Sequence, residues 1–115
     1  MDTVAKGSSE GLKKKVILLI PVTFNDGTAV PEKELYGVAL RLCELCGGAS
    51  VGGTVRGLYK MAGGKSQADR NLVYWVWVAP SRMDALRDLV RQIGRELGQE
   101  SMYFEVSDSE IEFIS

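Results

Sequence analysis

Cys43 and Cys46 stand in a Cys-x-x-Cys spacing, which redox dithiols use when the first thiol opens a helix and the dipole there favours thiolate. Here the pair closes a run of helical periodicity. The dipole at that end opposes thiolate, so two packing cysteines are the expectation. Zinc would need four ligands, and one chain with two cysteines and no histidine cannot supply them. The missing histidine also removes Ser-His-Asp and Cys-His catalysis and any imidazole proton relay. Catalysis would fall to carboxylates, Lys, Tyr, Cys or a borrowed cofactor. No metal site and no cofactor are expected.

Gly64-Lys65-Ser66 looks like the end of a phosphate-binding loop, but Tyr59 occupies the position where that motif needs its first glycine. A strand follows, where the motif must open a helix. A looser use remains, in which residues 61–69 form a mobile loop that closes over a phosphate or nucleotide with Lys65 and Arg70 as counter-charges. A plain solvated hairpin loop competes with it. Arg87, Arg91 and Arg95 form a row at helical spacing, and Asp84 and Asp88 lie close enough in sequence to neutralise much of it. A solvated face is expected there. Glu100 and Glu105 flank one strand and Asp108, Glu110 and Glu112 make the tail acidic, without an evident catalytic dyad.

The elements that must position these groups follow from periodicity. Residues 1–12 are small, polar and Gly/Ser-rich and read as a disordered leader, so the single domain is expected over 13–115. Val16 to Val22 is continuously apolar and reads as a strand covered on both faces. Asn25-Asp26-Gly27 makes a turn. Pro31 suits the first position of a helix, and Leu35, Val38, Ala39, Leu42, Leu45 and Cys46 give that helix one apolar face until Gly47-Gly48 ends it. Thr54 to Lys60 and Leu72 to Val78 read as strands, the latter ended by Pro80. Ser81 and Asp84 resemble a capping box at the head of a second helix, whose stripe is Met83, Leu86, Leu89, Val90, Ile93 and Leu97. Met102 to Val106 alternates as a fourth strand, and Glu110 to Ile114 is expected to return as a short fifth. The order β-α-β-β-α-β with a C-terminal extra strand is an α+β, ferredoxin-like sandwich.

In that arrangement two helices cover one face of the sheet and leave the other open. The third strand nevertheless carries Val73, Trp75 and Trp77 on one face and Leu72, Tyr74, Val76 and Val78 on the other. An apolar patch of that size does not stay in water on a soluble monomer. Either a second copy packs sheet on sheet, making a homo-oligomer with a dimer as first expectation, or the C-terminal Ile111, Phe113 and Ile114 fold back. Two such sheets could enclose a small-molecule cavity lined by Trp75, Trp77 and Tyr103.

The chain of 115 residues fits one domain, and its formal charge of −1 creates no field for nucleic acid or an anionic membrane. Neither partner is expected. The longest apolar run is far short of a bilayer span, and free cysteines suit a reducing compartment, so the expected location is the cytoplasm.

Gly98-Gln99-Glu100-Ser101, after a helix and before the fourth strand, resembles a family of small bacterial proteins of uncharacterised function with a Phe-Gly-Gln-Glu-Ser signature at that point. Leu97 stands where the signature has Phe. Gly53-Thr54-Val55 and Gly57-Leu58-Tyr59 are similar to that family's second strand, with Tyr59 where Trp is usual, and Asp69 falls near its acidic residue before the third strand. The resemblance implies a ferredoxin-like domain without supplying an activity; if its signature is functional, Gln99 and Glu100 are the site residues, and if it is structural they satisfy backbone groups at the helix exit. The expected function is a non-enzymatic homo-oligomer that binds a small ligand or a partner. Two alternatives are a dimeric α+β-barrel enzyme resembling cofactor-independent monooxygenases, and a nucleotide-sensing regulator using the 61–69 loop.

Overall fold

The computed structural model describes residues 13–60, 62–109 and 111–115; the expected leader lies outside them. Strand β1 (Lys14–Pro21) runs through the middle of the molecule, and its alternate residues Val16, Leu18 and Ile20 are wholly buried. Helix α1 (Glu32–Cys46) turns Val38 and Leu42 onto that face. Pro31 stands one residue before the helix, and Gly47 ends it by donating its N–H to the Cys43 carbonyl at 2.7 Å. Strand β2 (Ala49–Lys60) and strand β3 (Ser66–Val78) form a long hairpin. A short 3-10 turn (Pro80–Arg82) leads into helix α2 (Met83–Glu96), and strand β4 (Tyr103–Ser107) closes the sheet.

The sheet order is β2-β3-β1-β4, with every neighbouring pair antiparallel, so both β1 neighbours come from distant sequence. This is the ferredoxin-like topology expected from the element order. Tyr74, Val76 and Val78 face the helices beside the buried row of β1, and Leu86, Val90, Ile93 and Leu97 complete the core from α2. The Tyr74 hydroxyl donates to the Leu35 carbonyl at 2.7 Å, joining β3 to the first turns of α1.

Several expectations are corrected. The β2–β3 hairpin is longer than its apolar content implied: residues 49–53 and 66–71 are strand, so residues 66–69 of the expected 61–69 loop belong to β3. Ladder pairing overrides the polar composition of Ser66 to Arg70. Residues 111–115 form no strand and pair with neither outer edge of the sheet; Glu110, the first residue of that expected strand, lies outside the described residues. No side-chain cap bond forms at either helix start; Ser81 lies within the 3-10 turn, so the expected capping box is not made. Only one face of β1 is fully covered, since Ile17 and Leu19 are half-buried on the open side.

Register places Lys15, Ile17 and Leu19 of β1 beside Trp77, Trp75 and Val73 of β3 on that open face. The Trp75 ring lies across Gly52, where a Cβ would sit 2.7 Å from the ring edge, and β2 is irregular at that point between Val51 and Thr54. Gly52→Ala therefore forces the indole off its strand. Overpacking of this kind costs about 1–3 kcal/mol. A thermal melt should show the loss, with a red-shifted tryptophan emission as the ring is lifted into water. An unchanged melt and spectrum would show that the ring has room elsewhere.

Candidate functional site

Two loops meet at one end of the open face. The first is the 24–28 turn, closed by Phe24 N–H donating to the Thr28 carbonyl at 2.8 Å. Asp26 accepts from the Thr28 backbone N–H at 3.0 Å and the Thr28 hydroxyl at 2.6 Å, and these bonds hold its carboxyl below the ordinary aspartate value. The second is the exit of α2, where Gly98 takes a left-handed conformation at φ 69° and the Gln99 N–H donates to the Gly94 carbonyl at 2.8 Å. Asn25 joins the two: its Nδ2 donates to the Gly98 carbonyl at 2.6 Å, and its Oδ1 accepts from Gln99 Nε2 at 3.3 Å.

Between these loops and the sheet lies a cleft of about 500 Å³, bounded by Leu19, Tyr59, Asp69, Asn71, Gln99 and Tyr103. A second hollow of about 240 Å³ continues from it under the 24–28 turn, sharing Pro21, Asp69, Asn71 and Gln99 and adding Arg70. Asn71 is the one buried polar residue among the described residues, at 9% exposure. Its carboxamide forms no hydrogen bond with another described residue. Its polar atoms are not sealed off either, since the Trp77 indole N–H is the only fully enclosed side-chain group left without a partner among the described residues. Asn71 therefore offers a donor and an acceptor into both hollows.

The remaining polar groups set the chemistry. Gln67 Nε2 donates to Asp69 Oδ1 at 3.1 Å, fixing the carboxylate at the cleft wall. The Tyr103 hydroxyl donates to Glu105 at 2.7 Å, and that carboxylate holds the phenol above its ordinary value. The larger cleft carries no lysine or arginine, and Asp69 is its charged group. Its lining suits a neutral or cationic ligand with hydrogen-bond donors and a flat ring for Tyr59 or Tyr103, and it disfavours a phosphate.

Of the residues singled out from sequence, Gln99, Tyr103 and Arg70 converge on these hollows. Tyr59 and Asp69, which carried part of the family resemblance, line the same cleft. Glu100 faces a different groove, beside α2. Lys65 is exposed at the hairpin tip and lines neither hollow. Trp75 lies under Lys15, whose Nζ is 5.5 Å from the ring centre, and Trp77 meets the Phe113 edge at 6.2 Å between centroids; neither borders the cleft. Asn71 was missed, although a carboxamide directly before the apolar half of β3 was a visible signal.

Cys46 packs against the core, and burial pushes its thiol up, whereas Cys43 is exposed on the helix surface, so only one of the two expected packing cysteines packs. Among the described residues no group of three His, Cys, Asp or Glu side chains gathers to hold a metal. No helix of the described residues is long and apolar enough to cross a membrane.

No protein-family model matches the chain, and no curated protein matches it. Solved structures do. A phage SAM lyase in complex with S-methyl-5'-thioadenosine superimposes with a TM-score of 0.68 at 13% identity, covering 94% of this chain and 90% of that one. The divalent cation tolerance protein Cut A1 from Thermus thermophilus gives a TM-score of 0.63 at 13% identity over 89% of this chain and 88% of its own. The periplasmic divalent cation tolerance protein CutA from Archaeoglobus fulgidus gives 0.67 at 14% identity over 89% of this chain and 88% of its own. At such identities the likeness shows the fold.

Proposed function

We propose that the chain is a homo-oligomeric binding protein of the cytoplasm that holds a small neutral or cationic ligand in the Asn71 cleft. The observation that carries the ligand is the Asn71 carboxamide, nine-tenths buried, unpartnered among the described residues and open to both hollows. The side chain is nearly buried yet keeps its amide atoms open to the hollows, so a ligand entering either one meets a donor and an acceptor already held in place. Self-association is supported by the open face, where among the described residues Ile17, Leu19, Val73, Trp75 and Trp77 have no second layer beyond Phe113. Leu58, 73% exposed on the hairpin, extends the unprotected apolar surface. The Gln99 signature is placed in the ligand-contacting loop on this reading, with Glu100 outside it.

S-methyl-5'-thioadenosine is a suitable first probe, because a protein of this fold binds it and it is uncharged, flat-ringed and rich in donors. Calorimetric titration should show binding, with adenosine monophosphate at least tenfold weaker because the cleft offers its phosphate only Asp69. Tighter binding of the monophosphate would overturn the stated ligand chemistry. Native mass spectra of the same sample should show more than one chain per particle.

An enzymatic reading is favoured by one observation: the Tyr103 phenol, which lines the cleft together with Asp69, is hydrogen-bonded to the Glu105 carboxylate. Loss of SAM on incubation with the protein, followed by mass spectrometry, would replace the binding reading with a lyase. Nothing comparable supports the loop-based nucleotide sensor, whose residues 66–69 are locked into β3.

A further inference from the structure

On the far side of the α2 exit, a groove of about 480 Å³ runs between α2 and β4 and is lined by Arg87, Arg91, Arg95, Glu100, Ser101 and Phe104. Three guanidinium groups face one carboxylate there. Asp84 and Asp88 occupy only one nitrogen each of Arg87 and Arg91, at 3.2 and 2.8 Å, and lie outside the groove. Arg95 has no ion pair among the described residues. Beneath the row, β4 pairs with β1 on one side only, so its outer edge offers unpaired backbone groups. Phe104 shares the helix-facing side of β4 with the partner position of Leu18, and the Arg87 guanidinium lies 5.4 Å from its ring centre. The arginine row therefore overhangs the helix side of the open edge.

Such an edge and such a row together select an extended acidic segment. Residues four apart on a helix rise about 6 Å, and residues two apart on a strand advance about 6.6–6.8 Å, so alternate strand positions keep step with the row. The chain contains a segment with that pattern: Asp108, Glu110 and Glu112 fall at every second position, with Ser109, Ile111 and Phe113 between them. In its own copy this tail is weakly held. Lys14 pairs with Asp108 and Phe113 meets the Trp77 edge, yet Phe113 and Ile114 remain 79% and 87% exposed.

We propose that the tail of a second copy, from Asp108 to Ile114, adds as a strand along the outer edge of β4 and sets its alternate carboxylates on the arginine row of α2. Main-chain bonds to the edge give the affinity, and the arginines fix which face of the tail turns toward the helix. Ile111 and Phe113 then fall on the open-face side beside Tyr103. The proposal rests on the self-association argued above and adds an edge contact to the open-face one.

The test reverses the charges separately. In Arg91→Glu with Arg95→Glu the groove becomes acidic; in Glu110→Lys with Glu112→Lys the tail becomes basic. These substitutions leave the core untouched, and circular dichroism checks that each variant folds. Sedimentation should show self-association weakened at least tenfold in either variant alone, and an equimolar mixture should assemble again because each tail now meets a groove of opposite sign. Variants that assemble like the unaltered protein would overturn tail addition and leave open-face association standing. A mixture that stays apart would also overturn it. An unaltered protein that is monomeric at all concentrations would remove self-association itself.

Discussion

Replacing Tyr74 by alanine is expected to lower stability by roughly 3–5 kcal/mol, a large share of what a domain of this size has. The ring is 1% exposed and sits where β3 meets both β1 and α1, so its removal leaves a cavity at the junction of three elements. Tyr74→Phe separates the two contributions. It keeps the packing and removes only the donor to the Leu35 carbonyl, an acceptor that helix geometry also supplies with an intrahelical N–H, so the loss should be about 1 kcal/mol. Urea midpoints of the three proteins decide this; a phenylalanine variant as damaged as the alanine would mean that the hydrogen bond outweighs the packing of the ring.

The same residue sets an alkaline limit. Burial raises the Tyr74 phenol above its ordinary value of 10.0, so the folded state resists ionisation and the unfolded state does not. Below that value both states hold the proton and stability is flat. Above it the unfolded chain loses its proton first, and stability falls as pH rises toward the folded value. Tyr74→Phe should flatten the part of this fall that Tyr74 causes.

Asn71→Val is expected to act in the opposite direction on stability and to be severe for binding. Valine suits a strand and fills the space of the carboxamide with apolar atoms, and no protein hydrogen bond among the described residues is lost with the amide, so a gain of up to about 1 kcal/mol is expected. The gain should appear as a higher urea midpoint with an unchanged slope. In the same variant, titration with S-methyl-5'-thioadenosine should weaken at least tenfold, because the donor and acceptor pair facing the cleft is gone. A destabilised variant would mean that Asn71 is satisfied in the native state, which would take away the support for a site.

The fold was legible because its signals were local and repeated: the apolar run of β1, the stripes of both helices, and the Val/Trp/Tyr-rich half of β3. Ser66 to Arg70 was not legible as strand, since its partner strand rather than its composition orders it. The tail from Ile111 onward was apolar enough to be a strand yet pairs with neither outer edge of the sheet in its own chain. In the site, Gln99 and Asp69 were visible through a signature, whereas Trp75 and Trp77 drew attention by chemistry and proved to pack on Gly52 and Phe113. Asn71 depends on burial, which a single sequence does not display.

The sheet order has a consequence for how the protein is made. β1 is the first strand to leave the ribosome, but its two neighbours are β3 and the last strand, β4. Throughout synthesis one edge of the most apolar strand in the chain waits for residues not yet joined. The ladders that finally close it span most of the sequence, a topology that folds slowly. Until Tyr103 to Ser107 emerge, the nascent chain presents an unpaired hydrophobic edge, so crowded translation rather than the finished protein is where aggregation would strike.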